Sequence, residues 1–135
     1  MAQLTKLFVG PFASMTNSET DMNLLETGDL DVEPHWPDGL LRIVERQLVD
    51  LEPWEVMSRE LALKRLRGLR SRYSRRYVPF ARRQDSDDLA CIDPSQPGEI
   101  FVVHDFSSEG TEQRAQFASF WDWFRVAIED MIAFE

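Results

Sequence analysis

Between Tyr73 and Tyr77 the apolar residues of this chain change their period, and that change constrains its fold more than any other feature. Ala62, Leu66, Leu69 and Tyr73 recur at i, i+4, i+7 and i+11, one face of a helix that opens after Ser58. The next apolar residues come instead as short β-branched and aromatic runs: Tyr77-Val78-Pro79-Phe80-Ala81, Leu89-Ala90-Cys91-Ile92 and Ile100-Phe101-Val102-Val103-His104. Turn compositions separate them, Asp85-Ser86-Asp87-Asp88 and Pro94-Ser95-Gln96-Pro97-Gly98. Helical spacing then returns with Phe117, Phe120, Trp121, Phe124, Ile128 and Met131. The pattern predicts a single α+β domain. Its central sheet, antiparallel or mixed, carries a three-stranded meander flanked by helices, and the aromatic-rich C-terminal helix packs on that sheet.

Several local expectations follow. Pro79 cannot donate to a ladder, so its strand is an edge or carries a bulge. If the second turn sets Asp93 opposite Glu99, Cys91 faces Phe101, and alternation sends His104 to the other face. Ser119, with Asp122 three residues on, reads as the N-cap of the last helix. Trp123 lies off the predicted stripe, as a second core contact or an exposed anchor. Upstream, Leu41, Val44, Leu48 and Leu51 form a helical stripe that Asp38 would cap and Pro53 would close.

Residues 1–36 read as an N-terminal segment belonging to the domain, with 37–135 its main body. Within the segment, Leu4 to Phe8 reads as a strand and Ser14 to Asp21 as a loop. Met22, Leu24 and Leu25 begin a short helix that Gly28 ends. No apolar run is long enough to cross a bilayer. Leu7-Phe8-Val9 is broken at once by Gly10 and Pro11, so no signal peptide is read and a cytoplasmic location is expected. Cys91 is alone, which suits a reducing compartment.

Charge is distributed unevenly. The net charge is −9, which repels nucleic acid and anionic membranes and attracts a basic protein. Yet Met57 to Arg83 holds ten basic residues against one acid, Glu60, between two strongly acidic flanks. Folding is expected to bring the signs together. The plain reading of the basic helix is a solvated face whose arginine stems cover apolar surface. The alternative is nucleic-acid binding, with Arg70, Arg72, Arg75 and Arg76 on phosphates beside Tyr73 and Tyr77.

Motifs for chemistry are sparse. One cysteine and two scattered histidines, His35 and His104, do not supply a zinc set. Asp85, Asp87 and Asp88 resemble the start of a calcium loop. A loop counted from Asp85 needs glycine at its sixth position and glutamate at its twelfth, where Ala90 and Gln96 stand. No GxGxxG, Walker-type loop or GxSxG occurs. The expectation is a protein without catalytic residues, cofactor, metal or small-molecule substrate.

The run Val78 to Asp93, with its Pro79-Phe80-Ala81 and Asp87-Asp88-Leu89-Ala90-Cys91-Ile92-Asp93, resembles a signature of the SUKH superfamily. The pairing of His104-Asp105-Phe106 with Ser119-Phe120-Trp121-Asp122-Trp123-Phe124 is similar to that family too. Two features depart from it: Ile92 stands where phenylalanine is frequent, and no Asn-Gly-Gly run follows the first helix. The superfamily includes a fungal regulator of cell-wall assembly and many bacterial proteins encoded beside secreted toxins. The resemblance implies a sheet flanked by helices over 37–135, and a non-enzymatic role. That role is immunity, in which the protein binds and blocks a toxin domain, often a nuclease. It also implies structural roles for Phe80, Asp85, Asp87, Asp88, Cys91, Asp93, Phe101, Trp121 and Trp123. A basic toxin domain suits the acidic charge, and the expected contacts are Asp29, Asp31 and Glu33 with Trp36 as anchor. A housekeeping adaptor is the alternative among binding proteins.

Overall fold

In a computed structural model, which describes residues 23–134, the three predicted strands form the middle of a larger sheet. Its strands are β1 (Asp50–Leu51), β2 (Trp54–Val56), β3 (Val78–Arg83), β4 (Asp88–Ile92), β5 (Ile100–His104) and β6 (Gln113–Phe117). They pair in chain order, every pair antiparallel. Three helices accompany them: α1 (Asp38–Glu45), α2 (Arg59–Arg72) and α3 (Phe120–Ala133). The fold is α+β, with the C-terminal helix on the sheet. The expected strand at Leu4 to Phe8 and loop at Ser14 to Asp21 lie outside the described residues. Met22, where a short helix was expected to begin, also lies outside them; from residue 23 to Gly28 no α-helix forms, a 3-10 turn at Thr27–Asp29 stands at its end, and Leu24 and Leu25 are buried in the core.

Helix α2 follows its spacing closely. Ser58 caps it, its Oγ accepting the Leu61 N–H at 3.2 Å, and Ala62, Leu66, Leu69 and Tyr73 are all buried. Helix α1 departs from expectation. It ends at Glu45 and buries Leu40, Ile43 and Val44, leaving Leu41 and Leu48 exposed. Gln47 takes a left-handed φ of 61°, and the Gln47 and Leu48 N–H groups bond back to the carbonyls of Val44 and Ile43. That is a Schellman stop, so the chain leaves the helix before Leu48 and Leu51 can join its stripe. Asp38 is the first helical residue, and Pro37 occupies the cap position.

Beyond that stop the chain makes the β1–β2 hairpin. At two and three residues its strands are too short to show a period. Strand β6 was equally hidden, because Gln113-Arg114-Ala115-Gln116-Phe117 is a polar edge strand. Strand β3 is interior and meets the proline by bulging: its register shifts between Pro79 and Ala81. The extra residue, Phe80, places its ring 5.2 Å from that of Trp123 and 6.2 Å from that of Phe120.

Cys91 pairs with Phe101, and Asp88 with His104, in the expected register. The register and ring contacts put Arg75, just past the end of α2, over the face bearing Cys91, Phe101 and Val103, while α3 covers the face bearing Trp54 and Phe80. Strands β4 and β5 are thus covered on both sides, which explains their unbroken apolar runs. The buried stripe of α3 is Phe120, Trp123 and Ala127. Phe117 belongs to β6, so the helix begins three residues later than its first aromatic suggested, and Trp121 and Met131 fall on the exposed flank.

Candidate functional site

A strap of chain from Gly28 to Trp36 runs beside α2, tied to its start by Asp29 to Arg59 and beyond its end by Asp31 to Arg76, and two depressions open beside it. One, of about 750 Å³, lies between Asp31–His35, the end of α2 and the β4–β5 turn at Asp93–Gln96. The other, of about 630 Å³, lies between Gly28–Asp31 and the α2 side chains Leu63, Leu66, Arg67 and Arg70. Arg70, Arg76 and Asp31 line both.

The expected contact residues separate into two pairs here. Asp29 turns inward: its carboxylate accepts two guanidinium bonds from Arg59, at 2.8 and 3.1 Å, and the Glu26 N–H at 2.9 Å. Those partners hold its carboxyl below the ordinary 3.8, and only 12% of the side chain is exposed. Trp36 is half-buried, its indole N–H donating to the Leu25 carbonyl at 2.9 Å and its ring edge resting on Phe80. Both therefore fasten the strap to the domain and offer a partner less surface than Asp31 and Glu33 do. Asp31 and Glu33 remain exposed at the larger depression. Asp31 pairs with Arg76 at 2.7 Å and Glu33 accepts the Thr27 hydroxyl.

The residues assigned structural roles mostly sit in the framework. Phe80, Cys91, Phe101 and Trp123 are completely enclosed. Asp85 receives both forks of Arg83, Asp88 pairs with His104 Nδ1 at 2.7 Å, and the Asp87 carbonyl accepts the Asp105 N–H. Asp93 is buried. Burial raises its carboxyl, but bonds from Arg75, the Ser95 hydroxyl and the Ser95 N–H outweigh that and hold it below 3.8. Trp121 is the exception, because it is a flank residue packed beside Gly39 of α1.

Two buried carboxylates, and the lack of an ion pair at Arg70, leave no mark in the sequence. Asp105 is buried under both forks of Arg72, at 2.7 and 2.9 Å, with Arg65 at 3.8 Å. Glu112 is buried and accepts the Tyr77 hydroxyl at 2.8 Å. Arg70 donates to the Tyr77 carbonyl at 2.7 Å and makes no ion pair with a described carboxylate. The strongest local signal for any of them was the arginine count of α2, which does not say which guanidinium lacks a partner.

For chemistry the arrangement offers little. Cys91 and His104 lie on opposite faces of the sheet, and burial pushes the thiol far above its ordinary 9.0. Among the described residues no group of three His, Cys, Asp or Glu could hold a metal ion. None of their helices is long and apolar enough to cross a membrane. No family model, curated protein or solved structure matches the chain.

Proposed function

We propose that this protein works by binding another protein, as an immunity-type domain that holds and blocks a basic toxin domain, in the manner implied by its resemblance to the SUKH superfamily. One observation carries the reading. Seven of the ten basic residues between Met57 and Arg83 are drawn into ion pairs with carboxylates: Arg59, Arg65, Arg72, Arg75, Arg76, Arg82 and Arg83. The arginines that a nucleic-acid binder would aim at phosphates are largely committed within the fold. Exposed groups without an ion pair among the described residues then include the acids Glu45, Asp50, Glu52, Glu60 and Glu129 beside the bases Arg42, Arg46, Lys64, Arg67 and Arg114, so the outward field follows the net charge of −9. Such a surface steers a cationic protein inward and selects against anionic partners.

Asp31 and Glu33 are the contacts retained for that partner, since the strap presents them at the rim of the larger depression. The test is capture from the source cell at moderate salt, comparing the wild type with the double variant D31K/E33K. Recovery of one basic protein by the wild type, with loss from the variant, supports the reading. Retention of nucleic acid that is lost on replacing Arg72, Arg75 and Arg76 would move the arginine helix to the front.

A further inference from the structure

Arg70 is a half-buried cation without a matching anion in contact. Its guanidinium gives one bond to the Tyr77 carbonyl, and no described carboxylate stands within ion-pair distance. Burial, and then the nearby charge of Arg76, hold it below its ordinary range, and the more distant carboxylates of Asp31 and Asp93 offset this only in part. A charge taken out of water without a partner is costly, and a bound anion would remove that cost. Arg76 faces the same space, and its one ion pair among the described residues is with Asp31. With 55% and 82% of their side chains exposed, that pair is of the weak surface kind. Arg67, one turn before Arg70 on α2, is exposed on the wall of the smaller depression. Guanidinium groups thus gather where the two depressions meet, with Val32 and Pro94 on the adjoining wall; of the carboxylates lining the larger one, Glu33 is bonded to Thr27 and Asp93 to Arg75 and Ser95, which leaves Asp31 as the acid nearest the junction.

We propose that this junction binds the phosphate of a small phosphomonoester, the dianion bridging Arg70 and Arg76 while the body of the molecule lies in the larger depression. Planar forks from several directions match the oxygens of a phosphate better than the single plane of a carboxylate. A volume of about 750 Å³ accepts a molecule of nucleotide size. The ligand takes Arg76 from Asp31. This site goes beyond the protein-binding role and does not depend on it.

Calorimetric titration of the full chain tests the proposal, with inorganic phosphate, ribose 5-phosphate and adenosine monophosphate as probes. Saturable binding is expected for the two esters, tighter than for inorganic phosphate. R70Q should weaken it at least tenfold, equivalent to about 1.4 kcal/mol, while R125Q, at a remote exposed pair, leaves it unchanged. D31N should tighten it several-fold by releasing Arg76, the opposite of what loss of Asp31 does to a basic partner. No saturable ester binding, ester binding no tighter than phosphate, or equal affinity in R70Q overturns the site. Should R70Q fail to fold, D31N decides alone: unchanged or weaker ester binding overturns it as well.

Discussion

Asp105 shows how much one buried carboxylate can organise. Both of its oxygens bond Arg72, and Oδ1 also accepts the Phe106 N–H at 2.8 Å. Phe106 is thereby held at a left-handed φ of 64°, a strained setting for a bulky residue, with Arg72 4.1 Å beneath its exposed ring. Removing the carboxylate strands a partly buried guanidinium and leaves the strain unopposed. D105A is therefore expected to cost about 3–5 kcal/mol, read from the shift of the urea midpoint. F106G, which suits the left-handed backbone, should cost far less. Nothing in His104-Asp105-Phe106 as a sequence distinguishes Asp105 from a surface acid, because its partners come from α2, more than thirty positions earlier.

At the scale of elements, α1 and α3 touch through Gly39. A Cβ there would lie 2.6 Å from Cδ2 of Phe120 and 2.8 Å from Cε2 of Trp121. Alanine is worth about 1 kcal/mol over glycine inside a helix, but here the rings would have to move. G39A is expected to lower stability by about 1–3 kcal/mol, the usual cost of overpacking, and a thermal melt would show a lower midpoint. An unchanged or higher midpoint would mean that the two helices are free to part. The same contact explains the misread phase of α3. With aromatics at Phe120, Trp121, Trp123 and Phe124, more than one stripe satisfies helical spacing. Packing against Trp54, Phe80 and Gly39 selected the one through Trp123.

Across the whole molecule, the ion pairs that neutralise the basic middle also set its response to acid. Asp29 and Asp93 titrate below their ordinary 3.8, and Glu112 below 4.5. In Glu112 burial raises the carboxyl, and hydrogen bonds from backbone N–H groups and the Tyr77 hydroxyl more than offset it. A carboxyl depressed in the folded state stabilises the fold above its unfolded value and loses that contribution as pH falls through its folded one. Thermal midpoints are thus expected to hold near neutrality and to fall as pH drops below the ordinary carboxylate values. E112Q should lessen that acid slope. A midpoint indifferent to pH between neutrality and strong acid would refute the role of these ion-paired and hydrogen-bonded carboxylates.

Sequence alone determined the elements whose signal is local and periodic. Helix α2 and its Ser58 cap, the Ser119 cap of α3, the three central strands and the pairing of Cys91 with Phe101 all rest on spacing, turn composition and side-chain geometry within a few residues. It also foretold that the basic segment would meet the acidic flanks. Tertiary structure decided the rest. It set which residues of α1 and α3 turn inward, and it added β1, β2 and β6, which are too short or too polar to show a period. It placed Asp29 and Trp36 inside the strap's own anchorage while leaving Asp31 and Glu33 outside, and it left Arg70 without an ion pair among the described residues. Each of these depends on which distant side chain arrives beside it, and no spacing along the chain records that.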